Sequence, residues 1–340
     1  MRMEVAPLAK ALADAKANHR FVEVAAYDPS SAFAQNEYCL FIKPELTDDA
    51  VRFERAAAMI LEKVCSFGHT VVAGAAMDAE YMERHHVIEE HYGVINVISR
   101  LGREALSDAA NATLIAKFAS DLERGMLVLG AHQFLCEYPF FTPKALAIFF
   151  DNLGSVKLGG GTHSARANMN GQAVLILNGF HPEQLERYIA PGSAIVALAI
   201  RAESSWKSIR NELTGSTHPD AAASSSIRGD LFARREYFGL KEVTAGSNGV
   251  HVSAGPLEGM LEVCRYLSNL DEQRRELINT TFGRLLIRAG LGGDQVAQLS
   301  ANPTVELDGR RVSVFDLTEE MDASPAADLI GSVTTQLVHA

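Results

Sequence analysis

Long apolar runs are missing from this 340-residue chain. Runs such as Ala145–Phe150 and Ala173–Leu177 are the size of a strand or a short helix and sit in mixed sequence, far short of a bilayer span. The opening segment, MRMEVAPLAKALADAKANHRF, is broken by charges and holds no signal-peptide apolar stretch. A cytoplasmic protein with no membrane partner is expected. Cysteine is sparse: Cys39, Cys65, Cys136 and Cys264 are scattered, with no C-x-x-C pair. That argues against a disulfide framework or a zinc site and for core thiols in a reducing compartment. No basic block is present, and 31 Lys+Arg against 42 Asp+Glu give a net charge of -11. Nucleic acid is therefore not an expected partner. A small anionic ligand remains compatible, because a local pocket can be positive on a negative body. The cluster His85-His86 and His91 has Glu89 four residues after His85, so no H-x-x-x-H pair forms and no metal site is expected.

What is present is the material of a real core: 47% hydrophobic and 21% charged residues. The length suits one domain with insertions, or two. Residues 38–44 read as a buried strand closed by Pro44. Thr47, Asp48 and Asp49 start a helix whose Phe53, Ala57, Ile60 and Val64 recur at helical spacing to residue 67, and Gly68 ends it. A second strand is expected over 69–76 and a second helix over 79–92, closed by Gly93. Residues 97–135 read as mainly helical and 151–172 as a Gly/Asn-rich loop. Strands are expected at 173–178, 195–200 and 243–252. Helices are expected at 181–189, from Ser204 to Leu213, at 257–267 and at 271–289, with a polar loop over 214–230 and a weakly patterned tail. There is no internal repeat. This order predicts an α+β sandwich, helices lying on a sheet.

The chemistry concentrates between Gly215 and Glu262. GSTHPDAAASSSIRGD has the composition of a loop that presents backbone N–H and hydroxyl donors to phosphate oxygens, with Arg228 as a bidentate clamp. His251 falls at the end of a predicted strand, just before a helix opening at Pro256. Glu262 follows eleven residues later, within that helix.

Here the chain resembles the nucleoside diphosphate kinase family. The pattern N-x-x-H-x-S is present as Asn248-Gly249-Val250-His251-Val252-Ser253, and Glu262 stands where the family keeps a carboxylate eleven residues past the histidine. Gly215, Thr217, Pro219 and Ile227–Asp230 match the family's nucleotide-phosphate loop without a length change. Ile42-Lys43-Pro44-Glu45 matches the end of its first strand, Tyr92 its E-H-Y tyrosine, and Pro139-Phe140-Phe141 its P-F-F segment. The matches keep the family's order over roughly residues 36–96 and 191–268. Three positions depart from it. The clamping arginine falls on Asn211, beside Arg210. Val252 replaces a glycine next to the histidine, and Ala254 replaces an acidic residue.

The resemblance implies a ferredoxin-like antiparallel sheet covered by helices, with a mostly helical insertion. It divides the chain into an N-terminal extension (1–35), a kinase-like domain (36–270, interrupted at about 97–190) and a C-terminal helical extension (271–340). It implies an ATP-binding phosphotransferase in which His251 carries the phosphoryl group, Glu262 fixes the imidazole, and Lys43 and Asn248 contact the phosphoryl and sugar. Thr217, Arg228, Arg210, Ser253, Tyr92 and Phe140 would bind the nucleotide, with Phe140 on the base. The residues alone read Phe140 as core. Magnesium arrives with the nucleotide, and nucleoside di- and triphosphates are the partners. Self-association is expected, as closed oligomers are usual in the family. The alternative is a nucleotide-binding regulatory or scaffold protein that kept the fold and lost fast transfer. The run Gly159-Gly160-Gly161-Thr162 lacks the G-K-[ST] ending of a Walker loop and reads as a turn.

Overall fold

A computed structural model describes residues 3–30, 36–307 and 309–337, with side chains left out at 310 and 334–337. Eleven strands occur among the described residues. They are β1 (Val22–Ala25), β2 (Asn36–Ile42), β3 (Thr70–Asp78), β4 (Leu127–Gly130), β5 (Val156–Gly159), β6 (Thr162–Met169), β7 (Gln172–Leu177), β8 (Ala194–Ala202), β9 (Val250–Val252), β10 (Thr304–Leu307) and β11 (Arg310–Ser313). The chain divides into two compact units, one made of residues 1–85 and 191–340, the other of 86–190.

The first unit is built on a five-stranded sheet in the order β1-β3-β8-β2-β9, with every neighbouring pair antiparallel. The helix Ala50–Ser66 links β2 to β3, and the segment holding Trp206–Ser208 and Ile227–Ala233 links β8 to β9. Each link joins two parallel strands that another strand separates. The expected first helix forms as its pattern dictates. Asp49 caps it by accepting from Arg52 N, and Phe53, Ala56, Ala57, Ile60 and Val64 lie buried along one stripe. All seven residues of β2 are buried, because both faces of this interior strand are covered. Tyr38, Leu40 and Ile42 join the core under Val5–Asn18 and Ala50–Ser66, while the helix Pro256–Tyr266 packs on β2 from the other side.

That second contact depends on Gly259. A Cβ there would stand 2.7 Å from Glu37 O and 3.5 Å from Tyr38 Cα. Only glycine lets the helix approach the strand so closely.

Residues 271–340 are not simply helical. Thr280 caps the helix Thr281–Arg288 by accepting from Gly283 N, so helix begins ten residues later than the periodicity predicts. The hairpin β10–β11 and the helices Gly293–Gln298, Val314–Thr318 and Ala323–Leu337 follow. They share a core with Leu257, Met260 and Leu261.

The second unit holds a four-stranded sheet in the order β4-β7-β6-β5, in which β4 and β7 are parallel and the other pairs antiparallel. Alternation along β7 feeds two small cores: Val174 and Ile176 pack with Phe134, Leu146 and Phe150, Leu175 and Leu177 with Ile98 and Leu114. Helices fill most of this unit, but a sheet organises it. The expected loop at 151–172 is the β5–β6–β7 meander, turned at Asn170 (φ 52°) and Gly171 (φ 87°). Asn-Gly at positive φ is the preferred two-residue hairpin turn.

The expected helix 79–92 is broken into Ala79–Arg84 and Val87–His91, with His86 in a left-handed conformation (φ 53°), and Gly93 opens the next helix, Gly93–Leu101, instead of closing one. Two of the four cysteines, Cys39 and Cys264, are core thiols; Cys65 and Cys136 lie at the surface. No helix among the described residues is long and apolar enough to cross a membrane.

Candidate active site

The site lies in the first unit, where the edge strand β9 meets β2. Asn248-Gly249 delivers the chain to β9. Gly249 has a φ of 82°, and a Cβ there would come within 2.3 Å of Leu231 Cδ1, so the turn needs glycine for both its conformation and its space. Gly249 N donates to Glu45 Oε1 (2.8 Å), and Gly249 O accepts from Lys43 N (2.9 Å). The end of β2 and the start of β9 are thereby locked in register. This turn also shortens β9 to three residues, against the ten the apolar pattern suggests.

Alternation along β9 sends Val250 and Val252 into the core and His251 to the opposite face. His251 sits directly across from Phe41. The two rings stack with centroids 4.6 Å apart and an interplanar angle of 19°. Glu262, fully buried, reaches this face from the helix Pro256–Tyr266 and accepts from His251 Nε2 at 2.6 Å. Its other oxygen accepts from Ser253 Oγ at 2.5 Å. Ser253 Oγ in turn accepts from Cys39 N at 3.0 Å. A carboxylate can only accept, so the proton sits on Nε2 and the lone pair of the neutral ring is on Nδ1.

Lys43 Nζ donates to Asn248 Oδ1 at 2.7 Å. Asn248, itself buried, donates to the main-chain oxygens of Thr217 (3.2 Å) and Ala245 (3.0 Å). The strand-end lysine and the 217 loop are thus tied to the residue that opens the histidine strand. Arg228 is carried by the short helix Ile227–Ala233, capped by Ser226, where the sequence suggested only loop. Its guanidinium donates to Gly215 O (3.0 Å) and Val250 O (3.1 Å), and its buried Nε has no partner among the described residues. No carboxylate among the described residues pairs with it there. Burial, reinforced by the charge of Arg210, pushes its pKa down to about 10. It stays cationic at neutral pH, a partly buried charge held only by neutral oxygens.

Of the ten expected site residues, the structure gathers six around these contacts: His251, Glu262, Ser253, Lys43, Asn248 and Arg228. The expectation that Ser253 binds the nucleotide is corrected: its side chain is fully buried and its hydroxyl is directed at Glu262. Thr217 is exposed at the loop and contributes its carbonyl. Arg210, on the π-helical turn Ile209–Thr214, is engaged elsewhere: it pairs with Glu319 (2.7 Å) and Glu320 (3.2 Å). Tyr92 and Phe140 belong to the second unit. There Tyr92 packs edge-on against His181, with centroids 5.6 Å apart. Phe140 is 70% exposed beside Tyr138 and Phe141, so the reading of it as core is corrected.

Two residues of the site carried no motif. Phe41 is one; its place across from His251 follows from strand pairing and is invisible without the register. Glu258 is the other. It lines a cavity of about 190 Å³ together with Ala254, Gly255, Leu257, Phe315, Asp316, Thr318 and Glu319. One oxygen accepts from Ala254 N. Burial and the neighbouring Glu262 push its pKa up to about 7. The signal was in the sequence: Glu258 and Glu262 stand four residues apart on one helix, hence on one face.

No family model matches the chain, and neither does any curated protein. Among solved structures it is similar to an apo nucleoside diphosphate kinase from Encephalitozoon cuniculi, with 16% identity over 71% of this chain and 95% of that one and a TM-score of 0.34.

Proposed function

We propose that the protein is a phosphotransferase that moves the γ-phosphoryl group of a nucleoside triphosphate to a nucleoside diphosphate through His251. The observation that carries this is the buried Glu262 held at 2.6 Å from His251 Nε2. That contact selects the tautomer with a nucleophilic Nδ1 and offsets the positive charge that grows on the ring as it is phosphorylated. In the first half-reaction a bond forms between Nδ1 and the γ-phosphorus while the bond from that phosphorus to the β,γ-bridging oxygen breaks, and the diphosphate leaves. In the second, a terminal oxygen of another diphosphate attacks the phosphorus and Nδ1 departs with its electron pair. Phosphoryl transfer asks mainly for positioning and charge neutralisation. Lys43 and Arg228 supply the cations, and the Asn248 bonds set their frame. Magnesium comes as part of the nucleotide substrate.

The strand order supports a ferredoxin-like core. Two β-α-β units, each split by an intervening strand, interleave as β3-β8-β2-β9.

The test is incubation with γ-labelled ATP and magnesium. The expected result is a protein-bound label that is acid-labile and base-stable, moves to added GDP and is absent from His251→Ala. An unlabelled wild type, or a label that survives in His251→Ala, overturns the proposal. A second reading, nucleotide binding without fast transfer, is favoured by one observation: Arg210 is engaged by Glu319 and Glu320. Nucleotide binding without label is its signature.

A further inference from the structure

The segment Thr318–Glu320 crosses the chain just beyond Ser253. Glu320 N donates to Ala254 O at 3.0 Å. A Cβ on Gly255 would lie 2.9 Å from Thr318 O, so this strap rests on the backbone that joins the histidine strand to its helix. Both ends are fixed. On one side Thr318 Oγ1 donates to Val314 O (2.8 Å), within the helix Val314–Thr318. On the other, Asp322 accepts from Asn36 Nδ2 and Trp206 N, both at 2.9 Å. Between these anchors Glu320 adopts a φ of 58°, a conformation that is uncommon for a residue other than glycine or asparagine. The two carboxylates it presents, Glu319 and Glu320, both pair with Arg210.

The cations of this corner are unequally treated. Arg210 has two carboxylates; Arg228, which senses its charge, has only main-chain oxygens among the described residues. A polyphosphate that neutralises Arg228 and reaches toward Arg210 meets the acidic pair as a competitor. Both ion pairs are solvent-exposed, with Arg210 at 30% and its partners at 49% and 41% side-chain exposure, and pairs of that kind are weak enough to be displaced.

We infer that Glu319 and Glu320 form a built-in counter-anion for Arg210, an autoinhibitory strap that a bound polyphosphate displaces. The inference rests on the proposed nucleotide site. It makes the C-terminal segment a brake on affinity: the strap must leave Arg210 before the arginine can serve a phosphate.

The experiment is calorimetric titration of the full chain with Mg–ATP at low and moderate salt. Glu319→Gln/Glu320→Gln, two surface changes of near-equal volume, is expected to bind about three- to tenfold more tightly than wild type. The gain is expected to vanish when Arg210→Gln is added, since the strap then has nothing to withhold. In hydrogen exchange, Mg–ATP is expected to speed exchange of the Glu320 amide in the wild type. Wild-type binding that is unchanged or weakened in the double variant overturns the strap while leaving the nucleotide site intact. Absence of binding in both overturns the strap and the site together. Binding that appears only in the double variant supports both.

Discussion

Glu262 is the residue on which the site turns. It is fully buried, and both of its oxygens are used, one by an imidazole and one by a hydroxyl. Glu262→Gln keeps the shape and removes the charge. In the proposed transfer the ring then lacks its counter-ion at the moment it becomes cationic, and phosphorylation of His251 is expected to slow by about a hundredfold, the range for a lost proton-holding partner. Rapid-quench measurement of label incorporation checks this, and a rate within about twofold of wild type would remove Glu262 from the chemistry. Glu258, one turn earlier, makes a different prediction. Its folded pKa of about 7 lies above the ordinary value of 4.5, so the folded state holds the proton more tightly than the unfolded state does. The stability this proton supplies is complete below about pH 4.5 and is lost as pH rises toward and past about 7. Urea midpoints are expected to fall between about pH 5 and pH 8 by more in the wild type than in Glu258→Gln. Equal falls would show that Glu258 titrates normally. At this scale the sequence spoke where a motif fixes spacing: His251 and Glu262, eleven residues apart, are in contact. It misled about Ser253, whose hydroxyl is buried against Glu262. It was silent about Phe41, whose partner is chosen by β2–β9 register, and about Arg210, whose carboxylates lie more than a hundred residues away.

Among the elements, the helix Pro256–Tyr266 is what brings the carboxylate to the histidine, and its depth is set at Gly259. Gly259→Ala places a methyl against Glu37 O, a backbone atom that cannot rotate aside. Either the helix lifts or β2 bends, at a cost of about 1–3 kcal/mol, typical of overpacking. Denaturant unfolding measures that loss. The same displacement separates Glu262 from His251, so transfer is expected to drop further than the lost stability alone explains. A Gly259→Ala variant with wild-type stability would show that the close approach is not needed. Legibility followed burial. The helix Ala50–Ser66 and strands β2, β7 and β8 carry apolar patterns that one covered stripe or two covered faces impose, and their bounds were readable to within a few residues. Strands β5 and β6 were not, because glycine and short polar residues break up their apolar positions and their pairing is set by turns at Gly160-Gly161 and Asn170-Gly171. The helix expected to start at Asp271 was misplaced for a related reason: Thr280 supplies a stronger start ten residues on.

Across the whole molecule, all five strands of the sheet that carries His251 come from residues 1–85 and 191–340, and none from 86–190. The sequence located an interruption of the kinase-like pattern here, but motif spacing marks only where the resemblance lapses. Packing puts the start of the second unit at His86, where the chain turns left-handed between two short helices. The chain leaves and re-enters the first unit at neighbouring points, for Asp78 pairs with Ala194 across β3 and β8 and Ala79 N donates to Ser193 O at 2.9 Å. His85, the last residue before the boundary, is bonded to Asp271 of its own unit at 2.8 Å. The first unit is further clasped by Glu37, which accepts from Tyr27, Arg201 and Thr281 and so joins the segment before β2 and the helix Thr281–Arg288 to the five-stranded sheet. A protein in which residues 86–190 are replaced by a flexible Gly/Ser linker is therefore expected to fold, with a single cooperative unfolding transition. Circular dichroism through a urea titration tests this. A broad or absent transition would show that residues 1–85 and 191–340 do not fold by themselves, and that the antiparallel pairing of β3 with β8 and the Glu37 clasp are too weak to hold the first unit together.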